Sequence, residues 1–341
     1  MADWAIGIDI GGTKIAGALI SSAAEMADWR VLPTPRVGGG HSVLQVVTTL
    51  AVDLLHSPSL PAGAQLRGIG VGTGGQVEFG TGRILGATQA IPQWAGVDLK
   101  GTLERATGLP TAVDNDAKVM ARAELSVGAA QGADTAIFIT LGTGVGGALA
   151  TSGRVLHGTR GLAGHLGHIR ADEGEADPPL CSCGRRGCLE AYASGPAIRA
   201  AGLRALEQMG RSTPEATVAN ASSVWEAHRR GEGWATEVIG RARRALAHVL
   251  AGLVYTLNPD TIVIGGGLSS WGSAWCREIE DELRALVDQA FMERLKVVPA
   301  GLGNRAGTVG AGLLAFEAVG AFRSPRNAQS HTERSVSGCG T

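Results

Sequence analysis

The sequence has almost no excess of charge of either sign. Its 30 lysines and arginines nearly balance its 31 aspartates and glutamates, and the formal net charge is -1. Proteins that bind nucleic acid or anionic membranes through bulk electrostatics carry a clear positive excess, and the basic residues here form no run that could face DNA. We therefore expect neither nucleic acid nor a membrane as a partner, but a small neutral or anionic ligand.

Segments that would cross a membrane or direct secretion are also missing. No apolar run approaches the length of a bilayer span, and the stretch MADWAIGIDIGG lacks the basic start of a signal peptide. We therefore expect a cytoplasmic protein in which Cys276 and Cys339 are ordinary free thiols. At 341 residues the chain is too long for one ordinary core, so two domains are expected.

Cysteine is scarce, and three of the five cysteines lie close together after a pair of histidines. Cys181 and Cys183 are one residue apart, which suits a disulfide badly, and three is an odd number for disulfides. With His168 and Cys188 they supply the three thiolates and one imidazole of a tetrahedral zinc site. A closed four-ligand site is structural, so we expect a zinc knuckle. The alternatives are a disulfide or three unrelated core cysteines.

Glycine, by contrast, is abundant, with 52 residues that cluster at the ends of expected strands. Three apolar strands, 4–10, 136–141 and 261–264, each run into a glycine-rich turn, and backbone N–H groups in such turns bind phosphate oxygens. No Walker loop or dinucleotide fingerprint is present in its usual setting, because Gly11-Gly12 opens a hairpin. The alternative is tight turn geometry alone. The residues expected to bind nucleotide phosphates are Gly11, Gly12, Thr13, Lys14, Gly142, Thr143, Gly144, Gly146, Gly147, Gly265, Gly266 and Gly267.

Two aspartates follow expected strands where phosphoryl transfer would need carboxylates. Asp9 ends the first strand, and Asp116 lies between a short strand, 111–113, and a helix, 117–127. Transfer to a hydroxyl needs a carboxylate that accepts the proton and a cation that neutralises the phosphates. We assign Asp116 to the first role and place Asp9 with the nucleotide, near Mg²⁺. The alternative for Asp116 is a helix N-cap.

The remaining pattern predicts a mixed α/β protein built from two related halves. A strand, glycine turn, strand unit occurs twice, around residues 10 and 141, and a further strand is expected over 67–72. The spacing of apolar residues predicts helices over 42–56, 190–209, 234–257, 273–291 and 306–322. The expected domains are residues 1–116 completed by the helix at about 305–322, and a larger α/β domain, 117–304, with the knuckle. The polar tail 323–341 should be disordered.

These motifs together resemble the ROK family of sugar kinases, repressors and open reading frames, over about residues 4–322. The resemblance implies the actin-like, ribonuclease H-like sugar kinase fold, with ATP and sugar in a cleft between two domains that close on binding. It also implies that Asp116 takes the proton of the sugar 6-hydroxyl. The motifs are Asp9 to Lys14, Asp114 to Ala117, Leu141 to Gly147, His168 with Cys181 to Glu190, and Gly265 to Gly267. The residues expected to bind the sugar are Gly75, Asn115, Asp116, His165, His168 and Glu190.

Position 165 departs from the pattern that this resemblance implies for glucose. ROK glucokinases usually carry glutamate-x-glycine-histidine where this chain has His165-Leu-Gly-His168, and a neutral histidine offers one donor and one acceptor in place of a carboxylate. The histidine form is similar to the bacterial N-acetylmannosamine kinases of the family. Ala90 and Gly74 also depart from the hexose-specific pattern. We therefore expect ATP-dependent phosphorylation of the 6-hydroxyl of N-acetylmannosamine, giving N-acetylmannosamine 6-phosphate.

Other functions stay open at this point. They are a glucokinase or N-acetylglucosamine kinase, a sugar-responsive transcriptional regulator, and a sugar-binding protein without catalysis. Regulators of the family carry an N-terminal winged helix-turn-helix, for which the sequence leaves no room before the first strand. We also expect a homodimer, although the sequence fixes neither the oligomeric state nor the epimer at C2 of the sugar.

Overall fold

The computed structural model describes residues 3–87, 91–172, 174–211 and 217–320. The expectations for Ala90 and for the tail 323–341 therefore concern residues outside the described ranges. Among the described helices, none combines the length and the apolar character that a bilayer span requires.

The chain forms twelve named strands and ten named helices within these ranges. The elements of the first half are β1 (Asp3–Ile10), β2 (Lys14–Ser21), β3 (Met26–Pro33), α1 (Gly39–Leu55), β4 (Gln65–Thr73), β5 (Gln76–Glu78), β6 (Arg83–Gly86), α2 (Leu99–Thr107), β7 (Thr111–Asn115) and α3 (Asp116–Val127). Those of the second half are β8 (Ala136–Leu141), β9 (Val145–Thr151), β10 (Arg154–Val155), α4 (Glu190–Ala193), α5 (Gly195–Gln208), α6 (Ala221–Arg229), α7 (Gly233–Leu257), β11 (Thr261–Gly265), α8 (Gly272–Leu286), α9 (Gln289–Met292), β12 (Lys296–Pro299) and α10 (Ala306–Ala318).

The first sheet has the strand order β3-β2-β1-β4-β7. β1 and β2 form the expected antiparallel hairpin, whereas β4 runs parallel to β1 and β7 runs parallel to β4. The register places Asp9 beside Gly72, and Gly72 beside Asp114. Because the carboxyl ends of these parallel strands meet at one edge of the sheet, the residues that follow them gather there.

The second sheet repeats this plan in the strand order β10-β9-β8-β11-β12. β8 and β9 form an antiparallel hairpin, and β11 and β12 are added in parallel on the other side of β8. The two halves of related architecture that the sequence predicts are therefore present as two sheets of matching topology.

The chain divides into two compact units. The first contains Met1–Gly132, Gly153–Ala163 and Asn304–Thr341, and the second contains Ala133–Ser152 and Gly164–Gly303. Helix α3 thus groups with the first sheet and with the last helix, α10. The domain boundary expected after residue 116 stays a prediction.

Helix α10 lies directly on the first sheet through glycine. Side chains alternate between the faces of β1, so Ile6, Ile8 and Ile10 face the core shared with α1 while Gly7 faces α10. A Cβ at Gly7 would overlap the carbonyl of Thr308 on α10. A Cβ at Gly70 of β4 would overlap the carbonyl of Ala311, and one at Gly310 would overlap that of Val119 on α3. Backbone therefore touches backbone across this layer.

Two helices that were expected to be continuous are interrupted. The helix expected over 190–209 breaks at Ser194, whose backbone is extended and whose hydroxyl accepts the N–H of Ala197 to begin α5. The helix expected over 273–291 stops before Val287, where the backbone is also extended. In both cases a local capping or backbone preference ends a pattern that periodicity alone would continue.

The sequence pattern does not predict several of the elements, namely β3, β5, β6, β10, β12, α2 and α6. β3 carries polar residues on alternate positions and includes a proline at its end, which weakens the signal of an edge strand. β12 has only four residues. Strands this short depend on pairing with distant segments, which no local pattern reveals.

We expect Gly70→Ala to lower the free energy of unfolding by about 2–3 kcal/mol, because the new methyl group must displace the backbone of α10. Gly252→Ala is the matched control. Gly252 is exposed within α7 with open space around it, so alanine there should raise stability by up to about 1 kcal/mol. Urea unfolding of the two variants measures both values. Equal stability of Gly70→Ala and the unchanged protein would contradict the packing described above.

Candidate active site

Asn115 and Asp116 lie where β7 ends and α3 begins, in the first unit. The Asn115 side chain accepts the N–H of Ala117 at 3.1 Å and donates to the carbonyl of Gly75 at 3.0 Å. Asn115 is therefore the N-cap of α3, and it ties Gly75 to the start of the helix. Asp116 occupies the next position, so the alternative that Asp116 serves as the cap is wrong. Its side chain is exposed and available to a ligand.

The surroundings of Asp116 raise its pKa. Although the residue keeps solvent access, many protein atoms surround the carboxyl group, and this desolvation raises the pKa. Hydrogen bonds from the N–H of Ala117 and from Asn115 act in the opposite direction, as does the positive charge of Lys118. A carboxylate whose pKa moves toward neutrality is a better general base than an ordinary aspartate.

Asp9 is half-buried near the end of β1 and faces the start of α10. A Cβ at Gly307 would overlap the Asp9 carboxyl group, so the helix backbone approaches it closely. Burial, and then the negative charge of Asp116, raise the pKa of Asp9 to about 7, while Lys14 acts to lower it. Two carboxyl groups that interact in this way favour a bound cation, and carboxylate oxygens are the ligands that Mg²⁺ prefers.

The turn Gly11 to Lys14 closes the β1–β2 hairpin. The N–H of Gly11 donates to the carbonyl of Lys14 at 2.9 Å, and the hydroxyl of Thr34 donates to the carbonyl of Gly11 at 2.7 Å. The turn therefore spans four residues and not the two glycines alone. Gly12 and Thr13 are exposed, and φ at Gly11 lies outside the left-handed region. Backbone conformation thus does not require glycine at position 11, whereas close approach of a ligand would favour it.

In the second unit, the turn Gly142–Gly144 joins β8 to β9 and contacts the third glycine turn, 265–267, whereas Gly146 and Gly147 of the expected phosphate-binding set lie within β9. A Cβ at Gly266 would overlap the carbonyl of Leu141, at the start of the loop. Gly266 has a φ of 82°, so backbone geometry alone accounts for glycine there. The N–H at the start of α5 donates to the carbonyl of Gly142 at 2.8 Å. The structure therefore brings two of the three expected phosphate-binding turns together.

Glu190 fastens this loop to the cysteine-rich segment. One carboxylate oxygen accepts the N–H of Val145 at 3.0 Å, and the other accepts the hydroxyl of Ser182. The carboxylate also leaves no room for a side chain at Gly144. Its assignment to sugar binding stays a prediction, but the structure adds a second task, which is to hold the loop in place.

The turn that carries the two histidines packs on the start of β9. A Cβ at Gly167 would overlap the carbonyl of Val145, and Gly164 has a φ of 92° that favours glycine. The N–H of His168 donates to the carbonyl of His165 at 3.2 Å, and both histidines are half-buried. The glycines in this segment thus fix the backbone of both histidines against the loop that precedes β9.

The expected metal ligands lie together in the second unit. The ligand atoms of His168, Cys181, Cys183 and Cys188 all fall within 4.8 Å of one another. Nδ1 of His168 lies 3.7 Å from Sγ of Cys181, and the Sγ atoms of Cys183 and Cys188 are also 3.7 Å apart. Zinc–sulfur bonds of about 2.3 Å in a tetrahedron would separate two sulfur atoms by about 3.8 Å, so this donor set fits a zinc ion. The four thiols of the described cysteines are free, which excludes a disulfide among them.

Comparison with known proteins identifies the family. Residues 5–318 match the family model described as the ROK family. The chain belongs to the ROK family. A glucokinase from Halalkalibacterium halodurans is 36% identical over 320 residues, which cover 91% of this chain and 94% of the relative. An N-acetylmannosamine kinase from Escherichia coli is 34% identical over 313 residues, which cover 91% of this chain and 98% of the relative.

A solved structure shows the same architecture. The ROK family glucokinase from Streptomyces griseus, crystallised with glucose and AMPPNP, matches with a TM-score of 0.77 and 30% sequence identity over 92% of this chain and 99% of that one. The actin-like α/β fold expected from the motifs is therefore confirmed for this ROK chain.

Some polar residues beside the ROK motifs were not recognised from the sequence. His157 hydrogen-bonds Asp114 through Nε2 at 2.8 Å, and Lys118 donates to the carbonyl of Gly161 at 2.5 Å. Ser182 lies between two cysteines, and nothing in the sequence indicates its hydrogen bond to Glu190. Each contact joins segments that are distant in the sequence, so no spacing rule predicts it. Lys118 alone gives a signal, because a lysine on the apolar face of a predicted helix is unusual.

Proposed function

We propose that this ROK sugar kinase transfers the γ-phosphoryl group of ATP to the 6-hydroxyl of N-acetylmannosamine. The observation that carries the kinase assignment is the pair of Asp9 and Asp116 at the carboxyl edge of the first sheet. Asp116 is exposed at the start of a capped helix, and its negative charge raises the pKa of Asp9. Asp116 would accept the proton of the hydroxyl, and Asp9 would bind near the cation that accompanies ATP.

In the proposed reaction, Asp116 accepts the proton of the sugar 6-hydroxyl. The hydroxyl oxygen then forms a bond to the γ-phosphorus of ATP, while the bond between that phosphorus and the bridging oxygen breaks and ADP leaves. Desolvation that raises the pKa of Asp116 makes it a stronger base in its ionised form. Asn115 holds the start of α3, and thereby the backbone of Asp116, in a fixed position.

The glycine turns would hold the nucleotide. Gly12, Thr13 and Thr143 are exposed in these turns, and their backbone N–H groups suit phosphate oxygens, with the Lys14 ammonium and the Thr143 hydroxyl as further donors. Mg²⁺ would be placed near Asp9, where it neutralises charge on the phosphates. The close contact between turn 142–144 and turn 265–267 supports a shared nucleotide-binding role for both.

The identity of the sugar depends on position 165. Histidine there replaces the acceptor that a carboxylate would offer to hydroxyls near C1 and C2, and this favours the N-acetylated sugar. We propose that Gly75, Asn115, His165, His168 and Glu190 contact it together with Asp116. Glucose is the second candidate, because the H. halodurans relative at 36% identity is a glucokinase.

We also propose that the cysteine cluster holds a structural zinc ion. Three thiolates and one imidazole at the observed spacing are the donors that zinc prefers, and His168 would bind through Nδ1. Both ATP and reduced thiols fit a cytoplasmic location. A homodimer stays a prediction.

A coupled assay of ADP formation with N-acetylmannosamine, N-acetylglucosamine and glucose tests the proposed function. N-acetylmannosamine should give the highest kcat/KM. Asp116→Asn should lower kcat by about 10²-fold or more, since the base is lost while the cap of α3 remains. A clear preference for glucose would refute the proposed sugar. Absence of turnover with all three would instead favour a sugar-binding protein or a regulator.

His165→Glu should move the preference toward glucose. A carboxylate restores an acceptor for the sugar hydroxyls, so the ratio of kcat/KM for glucose to that for N-acetylmannosamine should rise about tenfold or more. Both kcat/KM values are measured on the same preparation of the variant, so a smaller fraction of folded protein lowers both equally and leaves their ratio unchanged. An unchanged ratio would show that position 165 does not determine the sugar.

Cys183→Ser should remove the metal ion. Cys183 is exposed, so its replacement costs little packing, and a fall in melting temperature of about 5 °C or more would report the lost metal. Cys276→Ser is the control, because Cys276 is buried in α8 outside the cluster. Metal analysis should find one zinc per chain in the unchanged protein and in the control. Full zinc content in Cys183→Ser would rule out this ligand set.

A further inference from the structure

The knuckle carries one polar side chain that the proposed metal site does not use. Ser182 lies between Cys181 and Cys183 and is exposed. Its hydroxyl donates to Oε1 of Glu190, the carboxylate proposed above to contact the sugar. A serine hydroxyl is not among the ligands of structural zinc sites, so the role of this residue follows from its contact with Glu190.

The backbone is fixed on both sides of this contact. The N–H of Cys181 donates to the carbonyl of Arg185 at 2.8 Å, which closes the turn that contains the serine. On the other side, the N–H of Leu189 donates to the carbonyl of Ile169 at 2.9 Å, one residue before Glu190. Because hydrogen bonds hold both backbones, the orientation of the carboxylate depends on what its two oxygens bind.

The two oxygens of Glu190 bind different segments of the second unit. Oε2 accepts the N–H of Val145 at 3.0 Å, and Oε1 accepts the hydroxyl of Ser182. The last torsion of a glutamate side chain has a broad energy minimum, so the carboxylate plane turns easily when nothing holds it. Donors on both oxygens fix this plane, whereas the donor on Oε2 alone leaves the other oxygen free to swing.

The thiol of Cys181 does not replace the serine. Its Sγ atom lies 3.6 Å from the same Oε1 atom, but a thiol is a weak donor. As a metal ligand Cys181 would be a thiolate, which has no proton to donate. The hydroxyl of Ser182 is therefore the donor that Oε1 keeps in either state of the cluster.

We propose that Ser182 is a positioning residue whose hydroxyl holds the Glu190 carboxylate in the orientation that receives a hydroxyl group of the sugar. This inference rests on the proposed function, in which Glu190 contacts the sugar. Glu190 has no part in the proposed proton transfer, so Ser182 acts on sugar binding and not on the chemical step.

Ser182→Ala tests the proposal, because it removes the hydroxyl of an exposed residue at little cost in packing. The KM for the sugar should rise about five- to tenfold, since a hydrogen bond to a charged group is lost. The kcat should change less than about twofold. Ser182→Thr keeps a hydroxyl and should restore the KM. An unchanged KM in Ser182→Ala would overturn the proposal.

Arg186→Ala is the matched control within the knuckle. Arg186 is also exposed, but its guanidinium pairs with Asp177 at 2.7 Å and not with Glu190. This variant should keep the original KM for the sugar, and both variants should keep the zinc content of the unchanged protein. A similar rise in KM in both variants, or loss of zinc from Ser182→Ala, would show general loosening of the knuckle and would refute the positioning role.

A double-mutant cycle tests whether Ser182 acts through Glu190. When Ser182→Ala is added to Glu190→Ala, kcat/KM should fall less than about twofold further, because the serine then has no carboxylate to hold. A further fall as large as that caused by Ser182→Ala alone would mean that the serine acts independently of Glu190, contrary to the proposal.

A last readout needs neither sugar nor activity. The amide proton of Val145, observed in valine-¹⁵N-labelled protein and assigned by its loss in Val145→Ile, reports its hydrogen bond to Glu190. In Ser182→Ala this signal should move in the same direction as in Glu190→Ala, and Ser182→Thr should leave it in place. A signal unmoved in Ser182→Ala would contradict the proposal. If the unchanged protein phosphorylates no sugar, the proposed function fails, and the Val145 signal still decides whether Ser182 positions Glu190.

Discussion

Backbone contact between α10 and the first sheet is the constraint on which the first half of the site depends. A helix normally stands off a sheet by the thickness of two side-chain layers, but Gly7 and Gly70 remove the layer of the sheet, and Gly310 allows α3 to approach α10 in the same way. The start of α10 is thereby brought against Asp9, and its body against β4 and α3. Chain segments separated by some three hundred residues thus set the surroundings of one carboxylate, and the same contact explains why its pKa departs so far from that of an exposed aspartate.

The sequence contains enough local information to predict the repeated core of the fold. Each strand, glycine turn, strand unit is apolar, continuous and closed by a turn of short range, so its hairpin could be recognised without knowledge of the rest. The edge strands β3 and β12 could not, because their stability comes from pairing with β2 and β11 and not from their own pattern. The predicted helices are wrong at Ser194 and Val287 for a related reason. Periodicity indicates which face of a helix is buried but not where the backbone leaves the helix.

The site divides in the same way. Residues that follow strands, such as Asp9, Asn115 and Asp116, could be predicted because strand ends meet at one edge of a parallel sheet. The polar groups that contact neighbouring residues of the same motif come from elsewhere in the chain. His157 hydrogen-bonds Asp114, and the Gly161 carbonyl accepts a hydrogen bond from Lys118. In each pair the partners are 43 residues apart in the sequence, so only folding brings them together. The positions of these motif residues could therefore be predicted from the sequence, while their electrostatic surroundings could not.

Glu190 shows how an expected ligand and an observed support are compatible. A carboxylate offers about four acceptor positions on its two oxygens. The N–H of Val145 occupies one position on the first oxygen, and the hydroxyl of Ser182 occupies one on the second. The Cys181 thiol also donates to the second oxygen, at 3.6 Å, so one position, on the first oxygen, remains for a sugar hydroxyl. Because Glu190 follows Cys188 by two residues, any ion that fixes the cysteine also limits the movement of the carboxylate, and through Val145 that of the glycine loop. Support of the glycine turn by Glu190 is thus compatible with the sugar recognition proposed for the same side chain, and the proposed zinc ion would limit the movement of both.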